Sequence, residues 1–300
     1  PSVFLGVPRI WTKFQQGILS KLPQSKLDLL LRIPIISGII KRKIQKGLGL
    51  STARNIFTGA APTPSSTIEW FKSLGIYIQE AYAMTENTCY SHVTFKEKIK
   101  IGSVGQPLPL CEVKLGNQNE ILIRHDALMV GYYKNEEETK NTIIHGWLHT
   151  GDEGEIDEEG FLRITGRVKD IFKTDKAKYV APSPIEMQFS SNKDIEQICV
   201  VGTNLPQPIG LVVLSENGKK KTRVEIAASL DKTLHIVNEN LDPHEKLYKI
   251  VIVKDEWSID NKLLTPTMKI KRNSIEKLYK EKYDIWYSSE VVGSKVVLED

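Results

Sequence analysis

Several short strings in this chain bring together side chains that could act on a phosphorylated substrate. Tyr82-Ala83-Met84-Thr85-Glu86 sets a hydroxyl beside a carboxylate directly after an apolar run. A Thr hydroxyl can donate to a phosphate oxygen, and a carboxylate can hold Mg²⁺, which favours hard oxygen ligands. In Thr150-Gly151-Asp152 the Gly permits a sharp turn and the Asp offers two acceptor oxygens, a set suited to bidentate recognition of ribose hydroxyls. Arg167 follows Gly166, and its fixed fork suits ribose or phosphate oxygens. Leu264-Thr265-Pro266-Thr267-Met268-Lys269 puts a cation on a loop ahead of a basic helix, where it can neutralise charge as a carboxylate and a phosphate approach. Gly59-Ala60-Ala61-Pro62 is a small-residue turn that lets a flat ring come close to the backbone. Each string also has a plainer reading by itself. These are a Tyr and a Met packed beside an exposed Glu, a simple turn, a solvated Asp, and a charge run of Lys269, Lys271 and Arg272 opening a solvated helix. His149 reads as structural.

The elements that must position these groups follow from periodicity. Residues 3–14 suggest a strand end leading into a helix, and residues 26–50 two short helices interrupted at Pro34 and Gly38. Residues 55–59 read as a buried strand ending in a Gly turn. Residues 65–74 carry Ile68, Phe71 and Leu74 at helical spacing, and residues 76–79 form another short strand just before Tyr82. Strand, turn, helix, strand is the rhythm of an α/β sheet with a site at strand ends. From about residue 105 to 166 short alternating runs such as 120–124 and 160–165 predict a small antiparallel β subdomain. Beyond it, strands near 197–201, 209–214 and 248–253 and helices at 224–240 and 273–283 predict a second, α+β domain. The expected division is residues 1–166 (α/β to about 104, then β) and 167–300.

Composition limits the function classes. Apolar content of 40% and charged content of 26% describe an ordinary globular chain without a membrane-spanning run. The opening PSVFLGVPRIW lacks the basic and small-residue pattern of a secretory signal. Cys89, Cys111 and Cys199 match no metal-ligand spacing and read as reduced thiols of a cytoplasmic protein. A net charge of +4 argues against a dedicated nucleic-acid binder.

Taken in order, GAAP at 59–62, YAMTE at 82–86, GWLHTGD at 146–152, ITGRVKD at 164–170 and LTPTMKIKR at 264–272 resemble the adenylate-forming superfamily, and within it the bacterial long-chain acyl-CoA synthetases. The resemblance covers essentially the whole chain. It implies that Gly59, Ala60 and Ala61 wall an adenine pocket, that Tyr82 stacks on adenine, and that Thr85 contacts the α-phosphate. It further implies that Glu86 coordinates Mg²⁺, that Asp152 holds the ribose hydroxyls and Arg167 ribose or phosphate oxygens, that Lys169 is the hinge of a mobile C-terminal domain, and that Lys269 bridges carboxylate and α-phosphate. The implied substrates are a fatty acid, ATP (leaving as AMP) and coenzyme A.

Three residues depart from the family pattern: Ala83 where relatives have Gly, and Asp175 and Ala177 where they commonly place Ser and Gly beside the pantetheine path. No Ser/Thr/Gly-rich loop ending in Lys is found; 51–54 and 64–67 are the nearest strings, and neither has the glycines. A Gly-rich loop offers converging N–H groups to the β- and γ-phosphates. The chain is therefore expected to be the C-terminal portion of a longer synthetase, inactive alone in the first step. Three other readings stay open: a luciferase-like or aryl-acid ligase, a noncatalytic nucleotide-binding module, and a membrane-surface role for residues 26–46 that would place the protein peripherally at the inner face of a membrane.

Overall fold

The computed structural model describes residues 1–266, 268–289 and 294–299. The chain divides into two compact units, Pro1–Ile164 and Thr165–Asp300.

In the first unit β1 (Val3–Gly6) feeds α1 (Pro8–Lys21), whose Pro8 needs no N–H at a helix start. Two helices follow, α2 (Gln24–Leu31) and α3 (Pro34–Gly47). Pro34 does separate them. Gly38, expected to interrupt the run as well, sits inside α3 without breaking it, because a helical Gly costs only about 1 kcal/mol and packing of Ile40 and Ile44 outweighs that. Next come β2 (Asn55–Thr58), α4 (Ser65–Ser73), β3 (Gln79–Tyr82), β4 (His92–Val93) and β5 (Gln106–Pro107). They form a sheet in the order β1-β2-β3-β4-β5, parallel over the first three strands and antiparallel over the last three. The strand expected at 76–79 begins at Gln79, so Tyr82 ends a strand and does not follow one; Ile76 and Ile78 are instead core residues with Trp11, Ile68 and Phe71.

A second sheet is built from β6 (Glu112–Leu115), β7 (Glu120–Arg124), β8 (Ile143–Ile144) after the short helix α5 (Glu136–Thr142), β9 (Trp147–Ile156) and β10 (Leu162–Arg167). Its order is β10-β9-β7-β6, with β8 on β9. Ile121, Ile123, Leu148 and Leu162 form its core. Gly105 has to be Gly: a Cβ there would stand 2.1 Å from the Val93 carbonyl oxygen.

The second unit opens with the hairpin β11 (Phe172–Lys173) and β12 (Tyr179–Val180), then α6 (Pro182–Phe189), β13 (Ile195–Val201), β14 (Ile209–Leu214), α7 (Arg223–Glu239), β15 (Lys249–Ile252), α8 (Arg272–Tyr279), α9 (Tyr283–Ser288) and β16 (Val296–Leu298). The sheet order is β13-β14-β15-β16. Residues 198–201 of β13, 209–214 of β14 and 250–252 of β15 are continuous apolar runs because both faces of the sheet are covered there. Val200, Val212 and Ile250 face one core with Ile185, Leu230 and Leu234, while Cys199, Val201, Leu211 and Val251 face another with Ile275, Tyr279 and Trp286. Helix α7 starts at a capping box in which Thr222 and Glu225 satisfy each other's backbone N–H.

Candidate active site

The carboxyl end of β3 carries Tyr82, after which the chain turns through a short 3₁₀ segment, Thr85–Asn87. Asn87 is fully buried and its Oδ1 accepts from the Met84 N–H at 3.0 Å, while Thr88 and Cys89 take left-handed backbone (φ 53° and 57°) to reverse the chain. Thr85 is left exposed at the tip. Glu86, half-buried, is held from two sides: its carbonyl accepts from Met129 N–H at 2.8 Å, and its Oε1 accepts from the Tyr132 hydroxyl at 2.9 Å. Burial first and the Glu86 carboxylate second push the Tyr132 phenol above its ordinary value. Tyr132 is steadied in turn by Thr139, whose Oγ1 accepts from its backbone N–H at 2.9 Å.

The turn at 59–62 lies against the same strand. A Cβ on Gly59 would stand 3.0 Å from the Ala81 carbonyl oxygen, so this approach depends on the missing side chain. Ala60 adopts φ 67°, and Thr58 and Thr63 close the base of the turn with a buried hydroxyl–hydroxyl bond of 2.6 Å.

Asp152 lies on β9, 70 residues from Tyr82, and the two meet: the Tyr82 hydroxyl donates to Asp152 Oδ2 at 2.8 Å. The turn that presents Asp152 is organised by Glu120, which accepts from the Gly151 N–H at 2.9 Å and pairs with His149 Nδ1 at 2.8 Å. Buried Thr150 donates to the Ile121 carbonyl and accepts from the Asp152 N–H. Beneath Tyr82, burial pushes the Glu80 carboxyl up to about 7, partly offset by the Gly102 N–H it accepts, and pushes the His92 imidazole down to about 4.

Glu86 is a single carboxylate, and among the described residues no three His, Cys, Asp or Glu gather into a metal cage. Mg²⁺ commonly takes one or two carboxylates and completes its octahedron with water and substrate phosphates. The donor set therefore fits a cation that arrives with a nucleotide.

Arg167, Lys169 and Lys269 all lie beyond Ile164, within the second unit. Arg167 is the last residue of β10 and Lys169 lies exposed in the turn Val168–Asp170. The loop of Lys269 is a tight reversal: Leu264 pairs with Ile270, Thr265 N–H donates to the Lys269 carbonyl at 2.8 Å, and Lys269 N–H donates to Thr265 Oγ1 at 3.0 Å. Its backbone is pinned while its side chain is exposed. Thr267 of the same motif lies outside the described residues. The charge run read as a solvated helix start splits in two, with Lys271 exposed and the Arg272 side chain largely enclosed, 10% exposed. Arg272 donates to Glu186 Oε1 at 2.7 Å and to the Val200 carbonyl at 2.6 Å, and its Nε stands 3.8 Å from Asp170 Oδ2. A residue three positions after Lys269 thus reaches the turn that holds Lys169.

The structure thus brings together Tyr82, Asp152, Gly59 and the Thr85–Glu86 turn in the first unit, and the Lys169 turn and the base of the Lys269 loop in the second. Sequence reasoning missed Tyr132, Glu120 and Arg272. No local signal marks the first two, since a Tyr or Glu that orients another side chain is defined by its partner. In the departing loop, Asp175 N–H donates to the Leu205 carbonyl, and Ala177 holds φ 58°, the backbone a Gly would take there.

Comparison with known proteins adds the following. Residues 1–133 match the family model of the AMP-binding enzyme, and residues 169–291 that of the AMP-binding enzyme C-terminal domain. Long-chain-fatty-acid–CoA ligase 5 of Rattus norvegicus is 31% identical over 96% of this chain and 49% of its own length. Long-chain-fatty-acid–CoA ligase FadD15 of Mycobacterium bovis is 29% identical over 87% of this chain and 47% of its own. The chain spans about half the length of these curated relatives. Among solved structures, the adenylation domain of a carboxylate reductase from Mycobacterium chelonae superposes with a TM-score of 0.74 at 19% identity, over 96% of this chain and 47% of that one. The anthranilate CoA ligase AuaEII, solved with anthranoyl-AMP, gives 0.68 at 19% identity, over 93% and 50%. These structures share the fold. With both family models matched in order along one chain, the protein belongs to the AMP-binding enzyme family.

Proposed function

We propose that this chain supplies the nucleotide turn and the lysine loop of a long-chain-fatty-acid–CoA ligase, which activates a fatty carboxylate with ATP and passes the acyl group to coenzyme A. The observation that supports this reading most is the 2.8 Å bond between Tyr82 and Asp152, because it joins two motifs that the reading assigns to one nucleoside. The 31% identity to a long-chain ligase supports the substrate class.

On this reading the Tyr82 ring and the Gly59-Ala60-Ala61 turn flank adenine, Asp152 accepts from ribose hydroxyls, and the Arg167 fork binds ribose or phosphate oxygens. Thr85 donates to the α-phosphate, and Glu86, oriented by Tyr132, is the ligand for Mg²⁺, which when bound supplies neutralising charge to the phosphates. A carboxylate oxygen attacks the α-phosphorus, the bond to pyrophosphate breaks, and acyl-adenylate forms. Lys269 offsets the charge that accumulates as the two anions meet, so catalysis is mainly positioning plus electrostatics. Rotation about Lys169 then withdraws Lys269, coenzyme A thiolate attacks the acyl carbonyl, and AMP leaves. The boundary near residue 166 and the hinge at Lys169 are part of this proposal. The surroundings that go with it are cytoplasmic, with peripheral contact at the inner face of a membrane.

The test is fatty-acid-dependent ATP–pyrophosphate exchange in a protein extended to the length of its relatives. Lys269→Ala is expected to lower exchange by about 10²–10³-fold, while transfer from supplied acyl-adenylate to coenzyme A is retained. The 300 residues alone are expected to give no exchange, since they lack a Gly-rich loop for the outer phosphates. AMP binding without exchange in the extended wild type would favour the noncatalytic module instead, and exchange only with aryl acids would favour an aryl-acid ligase.

A further inference from the structure

Charge is distributed unevenly along this chain. The first 54 residues hold ten of the 41 Lys and Arg and only one of the 37 Asp and Glu, so the remainder is net acidic. Within that basic segment the α2–α3 corner carries a bare apolar tip. Leu29 is 61% exposed, Ile33 43%, Ile35 81% and Ile39 60%. Helix α3 is two-faced in an unusual direction. Its inner side, with Ile40 and Ile44, packs on the core around Trp11. Its outer stripe begins with Ile35 and Ile39 and ends with Arg42, Lys43 and Lys46, all exposed. Polarity therefore changes along the axis as well as across it. At 1.5 Å per residue, the cations stand about 11–16 Å from Ile35. That offset lets the isoleucines enter the acyl boundary, about 5–10 Å deep, while the cations stay among the headgroups. Arg32 and Lys26 flank the tip, and the lone acid Asp28 accepts from the Gln24 side chain. Among the described residues no helix is long and apolar enough to cross a membrane, so the contact would be superficial.

We infer that the α2–α3 corner is a docking surface for an anionic lipid bilayer, inserting Leu29, Ile33, Ile35 and Ile39 beneath a collar of Arg42, Lys43 and Lys46. The inference deepens the peripheral contact proposed above by naming its element. Its test reads binding without catalysis, so this surface and the ligase reading fail separately.

The experiment is co-sedimentation of the full chain with phosphatidylcholine vesicles containing or lacking phosphatidylglycerol, beside light scattering without vesicles. Wild type is expected to favour the anionic vesicles, and the preference to fall with added salt. Lys43→Glu with Lys46→Glu should lower partitioning onto anionic vesicles by at least about twentyfold. Ile35→Ser with Ile39→Ser should lower it by at least about tenfold. Lys219→Glu with Lys220→Glu, in the other unit, should leave it unchanged. All these positions are exposed, so circular dichroism should show wild-type folding. Equal binding to neutral and anionic vesicles, or wild-type binding by the tip variants, would overturn the inference. So would a vesicle-independent dimer abolished by the Ser variants, which would assign the tip to a second copy of the chain.

Discussion

The turn bearing Thr85 and Glu86 and the loop bearing Lys269 are held in opposite ways. In the first, polar side chains are themselves fixed: Tyr82 on Asp152, Tyr132 on Glu86, Glu120 on the turn before Asp152. In the second, the backbone is fixed and the Lys269 side chain is left exposed, its loop anchored by the largely enclosed Arg272. The first arrangement suits groups that receive a ligand in one geometry, with its ordering cost already met by protein contacts. The second displays a charge from a pinned backbone, which on the proposed reading is the cation presented to the reacting anions. The comparison also locates where each region is vulnerable, since removing a residue that anchors costs more than removing one that is displayed.

The largest effect should come from that anchor. Arg272→Ala leaves the largely enclosed Glu186 without its cation and should destabilise the second unit by about 3 kcal/mol. Denaturation followed by fluorescence of buried Trp257 and Trp286 checks this. Replacing Arg272 and Glu186 together by Met and Leu should recover only part of the loss, because the N–H and carbonyl of buried Val200 then lose their partners. Lys269→Ala should shift the same curve by less than about 0.5 kcal/mol. An equal loss from Lys269→Ala would erase the contrast between anchor and displayed charge.

A second test concerns the base of the Thr85–Glu86 turn. Glu80 has its pKa raised from 4.5 to about 7, so between those values the folded chain keeps a proton that the unfolded chain releases. Stability is therefore lost as pH rises through that window, and above it the penalty is about 3 kcal/mol. His92 acts the other way: with its pKa lowered from 6.5 to about 4, it adds stability as pH rises through that range. Glu80→Gln should raise Tm at about pH 8, have little effect near pH 4, and leave a stability that climbs with pH under His92 alone. A flat profile in the variant would remove His92 from the account, and an unchanged Tm at about pH 8 would remove Glu80.

The smallest effect sharpens the comparison most. Tyr132→Phe deletes one hydroxyl and should cost about 1 kcal/mol of stability. On the proposed reading it also raises the Mg²⁺ concentration needed for half-maximal exchange while leaving transfer to coenzyme A intact. An unchanged Mg²⁺ dependence would show that Glu86 needs no orienting partner.

Much of the candidate site was legible because its chemistry is local. YAMTE, GWLHTGD and LTPTMKIKR are contiguous strings, and their order along the chain carries the family resemblance. The α/β rhythm of residues 55–82 and three of the four strands of the second unit's sheet were readable for the same reason, since side-chain period belongs to each element alone, whereas β16 was not read. Strand edges were displaced by a few residues, as with β3 and β10, because pairing partners and not composition end a strand.

What tertiary structure decided is the set of contacts between distant positions. Tyr82 meets Asp152 across 70 residues, and Tyr132 reaches Glu86 across 46. Arg272 becomes a largely enclosed tie, where its neighbours in sequence suggested a solvated cation, because α6 and β13 close around it. Helix α3 runs through Gly38 because core packing outweighs one weak residue. Residue types and their order determined which chemistry this protein could hold. Long-range register and packing, which no local window contains, decided which of those groups hold one another in place.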